Sequence, residues 1–168
     1  ALLVVALIAV VVAPFKPETR DDIRRRTISW IIMVPLIVGP ILLGAGTLIA
    51  AVTILSLLCF REFSRATGEF RDRGISLVVV LGILLLAVAA LDTWYRLFVA
   101  LFPLTVALIA ATAIGADQPK GYIQRVGLGV FGFMLFGGAL AHLSFMSNAP
   151  DYRPRVLLLL AAVQLNDV

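Results

Sequence analysis

The sequence predicts an all-α fold: a polytopic integral membrane protein of about seven transmembrane segments, the first and last of them incomplete. Three observations lead there. Sixty-one per cent of the 168 residues are apolar, against ~45–50% in a soluble domain, and such an excess cannot be hidden inside one water-facing globule. A mean hydropathy of +1.05 says the same. The apolar residues are gathered into continuous stretches at 1–13, 28–60, 75–91, 97–116, 126–146 and 156–168. None of these alternates with period two, as the strands of a membrane β-barrel must.

Taken in order, the first stretch is ALLVVALIAVVVA. At ~1.5 Å per residue it reaches roughly 20 Å, short of the ~30 Å hydrocarbon core, and no basic region precedes it as in a signal peptide. Residues 28–60 would make one helix of about 50 Å, too long for a single span. Gly44-Ala45-Gly46-Thr47 is the natural break, giving a tight hairpin of segments 28–43 and 47–60. Pro35 and Pro40 are expected to kink the first of these, which neighbouring helices can accommodate by satisfying the freed carbonyls. Stretches 75–91, 97–116 and 126–146 each read as one span. The last, VLLLLAAVQLNDV, is about as short as the first. The expectation is a fragment that starts within one helix and stops within another.

Alternating the segments sorts the loops into two sets. Eleven of the 14 basic residues fall in one set: Lys16, Arg20, Arg24, Arg25, Arg26, Arg61, Arg65, Arg71, Arg73, Lys120 and Arg125. Only Arg96, Arg153 and Arg155 fall in the other. That imbalance marks the first set as cytoplasmic. It also explains the net charge of +4 and the pI near 9.8 by topology, with no nucleic-acid partner. Trp30, Trp94, Tyr95 and Tyr152 lie near the expected interfaces, where amphipathic rings belong. The single cysteine, Cys59, cannot form an intrachain disulfide and reads as a small core- or lipid-facing residue.

The polar residue most in need of explanation is Asp167. A carboxylate at the end of a membrane helix must be paired, hydrated or metal-bound. Gln164 at i−3 shares its face and Asn166 stands beside it. Carboxylate and amide oxygens suit a hard cation such as Mg²⁺, which needs few protein ligands when phosphates supply the rest. The alternative is a hydrated side chain at the membrane boundary. Arg24, Arg25 and Arg26 precede a membrane segment. Their guanidinium forks match phosphate oxygens bidentately, so a phospholipid headgroup is a candidate ligand; such clusters also attract anionic lipid without specificity. Glu62 and Arg65 at i+3 read as a surface pair.

Gly127-Leu128-Gly129-Val130-Phe131-Gly132 matches G-x-G-x-x-G formally, but no strand precedes it and no βαβ unit surrounds it. With Gly137, Gly138 and Ala141 it reads instead as a small-residue face for close packing, within the chain or between two copies in a homodimer. His142 is expected to be a hydrogen-bonded packing residue. No metal-binding Cys/His spacing, phosphate-binding loop or nucleophile–His–acid arrangement is present.

The tail Gln164-Leu165-Asn166-Asp167-Val168 resembles the start of the catalytic region in the phosphatidate cytidylyltransferase (CDP-diacylglycerol synthase) family. Arg24-Arg25-Arg26-Thr27-Ile28-Ser29-Trp30 is similar to the basic beginning of an early helix there. Cys59-Phe60-Arg61-Glu62-Phe63 is similar to the acidic-aromatic end of a following one. Ala113 to Met146, with a Gly-Ala-Asp-Gln-Pro loop and an Ala-His pair, resembles the helices just before the active site. The resemblance implies cytidylyl transfer from CTP to phosphatidate, giving CDP-diacylglycerol and pyrophosphate. It implies Asp167 as ligand of Mg²⁺ or another divalent cation, with Asn166 in support, and Arg24, Arg25 and Arg26 as the attraction for lipid phosphate. The partners are then CTP, phosphatidate and membrane lipids. The location implied is a bacterial inner (plasma) membrane, with the active-site end cytoplasmic. The family's glycine-rich run after the aspartate, its Ser-Pro-x-Lys-Thr segment and its Lys/Asp/His-rich signature do not occur in 1–168. The expectation is therefore the N-terminal transmembrane region of a larger membrane enzyme, inactive alone. Two rivals stay open: an ion-coupled transporter using the carboxylate, and a non-catalytic membrane scaffold.

Overall fold

The computed structural model describes residues 17–68, 72–115 and 120–166. Among them are six helices and no strand: α1 (Pro17–Leu43), α2 (Ala45–Thr67), α3 (Arg73–Leu91), α4 (Tyr95–Gly115), α5 (Tyr122–Met146) and α6 (Tyr152–Asn166). Two compact units follow one another along the chain, residues 1–42 and 43–168. The first expected segment, 1–13, lies outside the described residues.

Four of the described helices, α2 to α5, are long and apolar enough to cross a membrane. The helical class therefore holds, with four candidate membrane spans by length and composition among the described residues. α1 begins well before the apolar stretch, and its first turns carry Glu18, Arg20, Asp21, Asp22 and the three arginines. The apolar stretch 28–43 forms the rest of this helix. α6 has 15 residues, about 22 Å at the helical rise. α1 continues through both Pro35 and Pro40, each of which removes one N–H donor from the helical ladder.

The expected break is real and centres on one residue. Gly44 separates α1 from α2 at φ 149°, a backbone region that side chains disfavour and glycine reaches freely. Its carbonyl accepts from Leu48 N at 3.1 Å and from Thr47 Oγ1 at 2.7 Å, so the new helix is tied to the breaker itself. α2 runs on past the apolar stretch through Arg61–Thr67 and stops at Gly68, whose φ of 79° is the left-handed helix cap. α3 starts on Asp72, whose Oδ1 accepts from Ile75 N at 3.2 Å, the usual way an acidic side chain satisfies a first-turn donor.

α3 is the central helix of the second unit. Ile75, Val79, Ile83, Leu86, Ala89 and Ala90 are each at most 4% exposed. All but Ala90 pack with Phe98, Leu101, Ile109 and Ala113 of α4, with Phe60 of α2, and with Phe133 and Ala141 of α5. Outside this core the same helices show leucines and valines outward, among them Leu77, Leu81, Leu84, Leu104 and Leu108. In hydrocarbon those outward residues are as well solvated as they would be inside. Helices then hold together by dispersion at close approach rather than by burial. The small residues supply that approach: Gly82 lies against Thr105 and Phe133, Gly74 against Thr112, and Gly132 against Phe60 and Phe63.

The small-residue face expected on 126–146 holds for Gly129, Gly132, Gly137, Gly138 and Ala141, all buried, but not for Gly127. A Cβ at Gly127 would meet nothing, whereas Gly132, Gly137 and Gly138 all touch aromatic rings of this same chain. Between Phe133 and Ala139, α5 adopts π-helical winding, which inserts extra backbone and re-aims the following turn.

Candidate functional site

The helices of the second unit run antiparallel and gather their charged residues at two ends. Two sets of contacts give the sense of α2 and α5: Phe63 packs on Phe131 and Phe136, with centroids 5.9 and 5.4 Å away, while the earlier Thr53 and Ser56 line one cavity with the later Gly137 and Ser144. At one end stand the C-terminus of α2, the start of α3, the end of α4 and the start of α5, with Arg61, Arg65, Arg73, Lys120 and Arg125. At the other stand Arg96, Arg153 and Arg155, the last paired with Asp151 at 2.8 Å. The charge asymmetry read from the loops thus becomes an asymmetry of the folded bundle.

Within the basic end two ion-pair arrangements differ in burial. Glu62 lies 3.7 Å from Arg61 and 3.8 Å from Arg65, and all three side chains are more than half exposed. This is the surface pairing expected, and pairs of that kind contribute ~0–1 kcal/mol. Asp72 and Arg125 are different. Asp72 Oδ2 meets Arg125 at 3.3 Å, with the two side chains only 15% and 21% exposed, while Asp72 Oδ1 holds the first turn of α3. One carboxylate thus joins the start of α3 to the start of α5. Sequence reasoning counted Arg125 only as a loop charge and passed over Asp72. The available signal was an acidic residue three positions before the apolar run 75–91, where an N-cap belongs.

At the opposite end neutral groups join α3, α4 and α5. Asn148 Nδ2 donates to Ala90 O at 2.8 Å, pinning the turn after α5 to the last turn of α3. Tyr95, Phe98, Phe102 and Phe145 form a run of ring contacts that takes in His142, whose centroid lies 5.3 Å from Phe98 and 5.4 Å from Phe102. His142 Nδ1 meets Gly138 O at 2.8 Å. It is the hydrogen-bonded packing residue expected. Trp94 and Tyr95 are more than half exposed at this end, as interfacial rings should be, but Tyr152 is 8% exposed and packs inward. Cys59 is half-buried.

The residues singled out from the sequence sit at the margins of what is described. Asp167 lies outside the described residues. Asn166 is the last residue of α6, and its side chain is outside the description. Gln164, three residues before Asp167 in the sequence, is exposed. Arg24, Arg25 and Arg26 belong to α1 in the first unit. Of the three, the side chain described is that of Arg25, which is exposed and whose carbonyl accepts from Ser29 Oγ at 3.0 Å. Among the described residues no three His, Cys, Asp or Glu side chains converge as a metal site. The described carboxylates are already committed to Arg125, Arg61, Arg65 and Arg155 or stand apart as single groups.

Neither the curated proteins nor the solved structures contain a match to the chain. A family comparison does find one, over residues 24–168. It begins at the first arginine of the α1 cluster, spans the whole second unit and takes in Asn166 and Asp167. With most of its length inside that match, the chain belongs to the cytidylyltransferase family, whose chemistry is CTP-dependent nucleotidyl transfer.

Proposed function

We propose that the protein transfers a cytidylyl group from CTP to phosphatidate, and that residues 1–168 are the N-terminal membrane region of that enzyme. The observation that carries this reading is the coincidence, in one chain, of a cytidylyltransferase match over 24–168 with four helices fit to cross a membrane. CTP is a polyanion and cannot enter hydrocarbon. An enzyme that uses CTP gains nothing from a membrane bundle unless the acceptor is itself held there. A phosphate-bearing lipid is such an acceptor, and its phosphate lies at the interface, level with the helix ends.

In this reading a phosphate oxygen of phosphatidate attacks the α-phosphorus of CTP. The new P–O bond forms as the bond to the β-phosphate bridge breaks, and pyrophosphate leaves. The basic end of the bundle faces the cytoplasm, where it attracts both nucleotide and anionic lipid. Arg24, Arg25 and Arg26 draw the lipid phosphate, because a guanidinium matches phosphate oxygens in pairs. Asp167, with Asn166 in support, contributes a metal ligand. A divalent cation such as Mg²⁺, when bound, neutralises charge developing on the phosphates. The described residues do not by themselves complete a cation site, so the nucleotide phosphates and other carboxylates have to share the ion with Asp167.

The test is substitution in the complete protein. Asp167→Asn keeps size and shape but removes the charge, and is expected to abolish CDP-diacylglycerol formation while leaving expression and thermal stability unchanged. Normal turnover would remove Asp167 from the site. Placing a cysteine at 167 in a Cys59→Ser background tests the topology: thiol labelling from the cytoplasmic side is expected, and labelling only from the far side refutes the orientation.

A further inference from the structure

Midway along the second unit, α2, α3 and α5 form a small, partly open cavity lined by residues that include Thr53, Ser56, Ile83, Gly137 and Ser144. Its origin is local. Gly137 sits within the π-helical winding of α5, which carries the backbone away from an ordinary helical path. The room open to a water's centre is about 10 Å³, close to the ~10–15 Å³ that a single water needs.

The lining has the donors and acceptors for that one molecule. Thr53 Oγ1 donates its proton to Ile49 O at 2.7 Å, and Ser56 Oγ donates to Val52 O at 2.9 Å. Each hydroxyl has therefore committed its proton to its own helix and offers the cavity lone pairs only. Ser144, 2% exposed, brings a third hydroxyl from α5 that can give a proton as well as accept one. Two acceptors on one helix and a donor on the facing helix complement a water, which has two protons to give and lone pairs to receive.

The geometry points to a buried, ordered water at this junction, donating to Thr53 Oγ1 and Ser56 Oγ and accepting from the Ser144 hydroxyl. A bundle held elsewhere by dispersion then has, at its π-helical segment, a polar bridge between α2 and α5. Polar groups in hydrocarbon have no bulk water to turn to, so the bridge favours the π-helical winding over a regular helix that would close the cavity.

Radiolytic hydroxyl-radical labelling of the full chain in detergent micelles tests this, because a bound water is itself the source of radical beside it. Ile83 lines the cavity, whereas Val79 and Leu86 on the same helix are fully buried and do not line it. Modification of Ile83 with none at Val79 or Leu86 is expected. Ser56→Val, which pushes a methyl group into the space, should lose the Ile83 modification. If Ile83 in the wild-type chain is as unreactive as Val79 and Leu86, the cavity is dry or filled by an acyl chain and the inference fails. It also fails if Ile83 stays reactive in Ser56→Val, since the radical then arrives by another route. An unreactive Ile83 in the wild-type chain refutes the inference even if the variant does not fold.

Discussion

Replacing Gly82 by alanine should destabilise the bundle although alanine is the better helix former. A Cβ at position 82 would stand 2.7 Å from Thr105 Cγ2, 2.8 Å from Phe133 Cε2 and 3.1 Å from Thr105 Oγ1. Carbon atoms prefer ~3.5–4.0 Å, so α4 and α5 would both be pushed by most of an ångström. Neither neighbour can swing away: Thr105 is 3% exposed and Phe133 0%, and a β-branched side chain in a helix is held to few rotamers. Overpacking of this kind costs about 1–3 kcal/mol, and two simultaneous overlaps place Gly82→Ala toward the upper end. Alanine's intrinsic helix preference returns up to ~1 kcal/mol. The net expectation is a loss of about 1–2 kcal/mol. Gly127→Ala is the control: it gains the same helix preference, and its Cβ would meet nothing within 4 Å, so it should hold stability level or raise it. Reversible unfolding of the full chain by SDS titration in mixed micelles measures both. Adding Thr105→Ala to Gly82→Ala removes two of the three close atoms and should recover part of the loss, with a coupling of ~0.5–3 kcal/mol. A Gly82→Ala protein as stable as Gly127→Ala, or a double mutant that is simply additive, would refute the close approach of these three helices.

The charged end and the aromatic end give further expectations, each checked by the same unfolding titration. Asp72→Asn keeps an N-cap acceptor but removes the charge facing Arg125, whereas Asp72→Ala removes both. The alanine variant should therefore be the less stable of the two, by the ~0.5–2 kcal/mol of a lost cap; equal losses would mean the cap bond contributes nothing. Glu62→Gln, with a side chain 67% exposed, should change stability by well under ~1 kcal/mol, and a larger effect would show that the Arg61–Glu62–Arg65 cluster is not a simple surface group. Phe98→Ala empties a site that is 1% exposed and touches Phe102, His142 and Phe145. A loss of ~3–5 kcal/mol is expected, and near-neutrality would show that the aromatic run does not hold α4 to α5.

How much of this could be read without coordinates depended on whether the signal was local. Gly44 could be seen as a break because an apolar stretch of that length cannot remain one span, and glycine is the residue that interrupts it at least strain. The loop charges could be sorted because topology alone spaces them. The helical spans of α2 to α5 followed from length and hydropathy. The family resemblance rested on short contiguous strings of residues. Gly127 and Gly132 looked alike in the sequence, yet only the second is pressed against another helix. Their difference depends on which side of α5 faces α2, and an apolar helix in a membrane carries no polar face to announce its inward side.

The sequence by itself therefore determined the helical class, the apolar lengths that suit a membrane, the principal breaks and the chemistry of the family, since each depends on composition or on neighbours along the chain. Only the tertiary structure decided that α3 is the central helix, that Asp72 reaches across to Arg125, that α5 winds as a π-helix beside Gly137, and that three hydroxyls share one small cavity. Those are consequences of helix rotation and close approach between residues far apart in sequence. In hydrocarbon such approach is governed by shape and dispersion, which leave no periodic trace in the order of the amino acids.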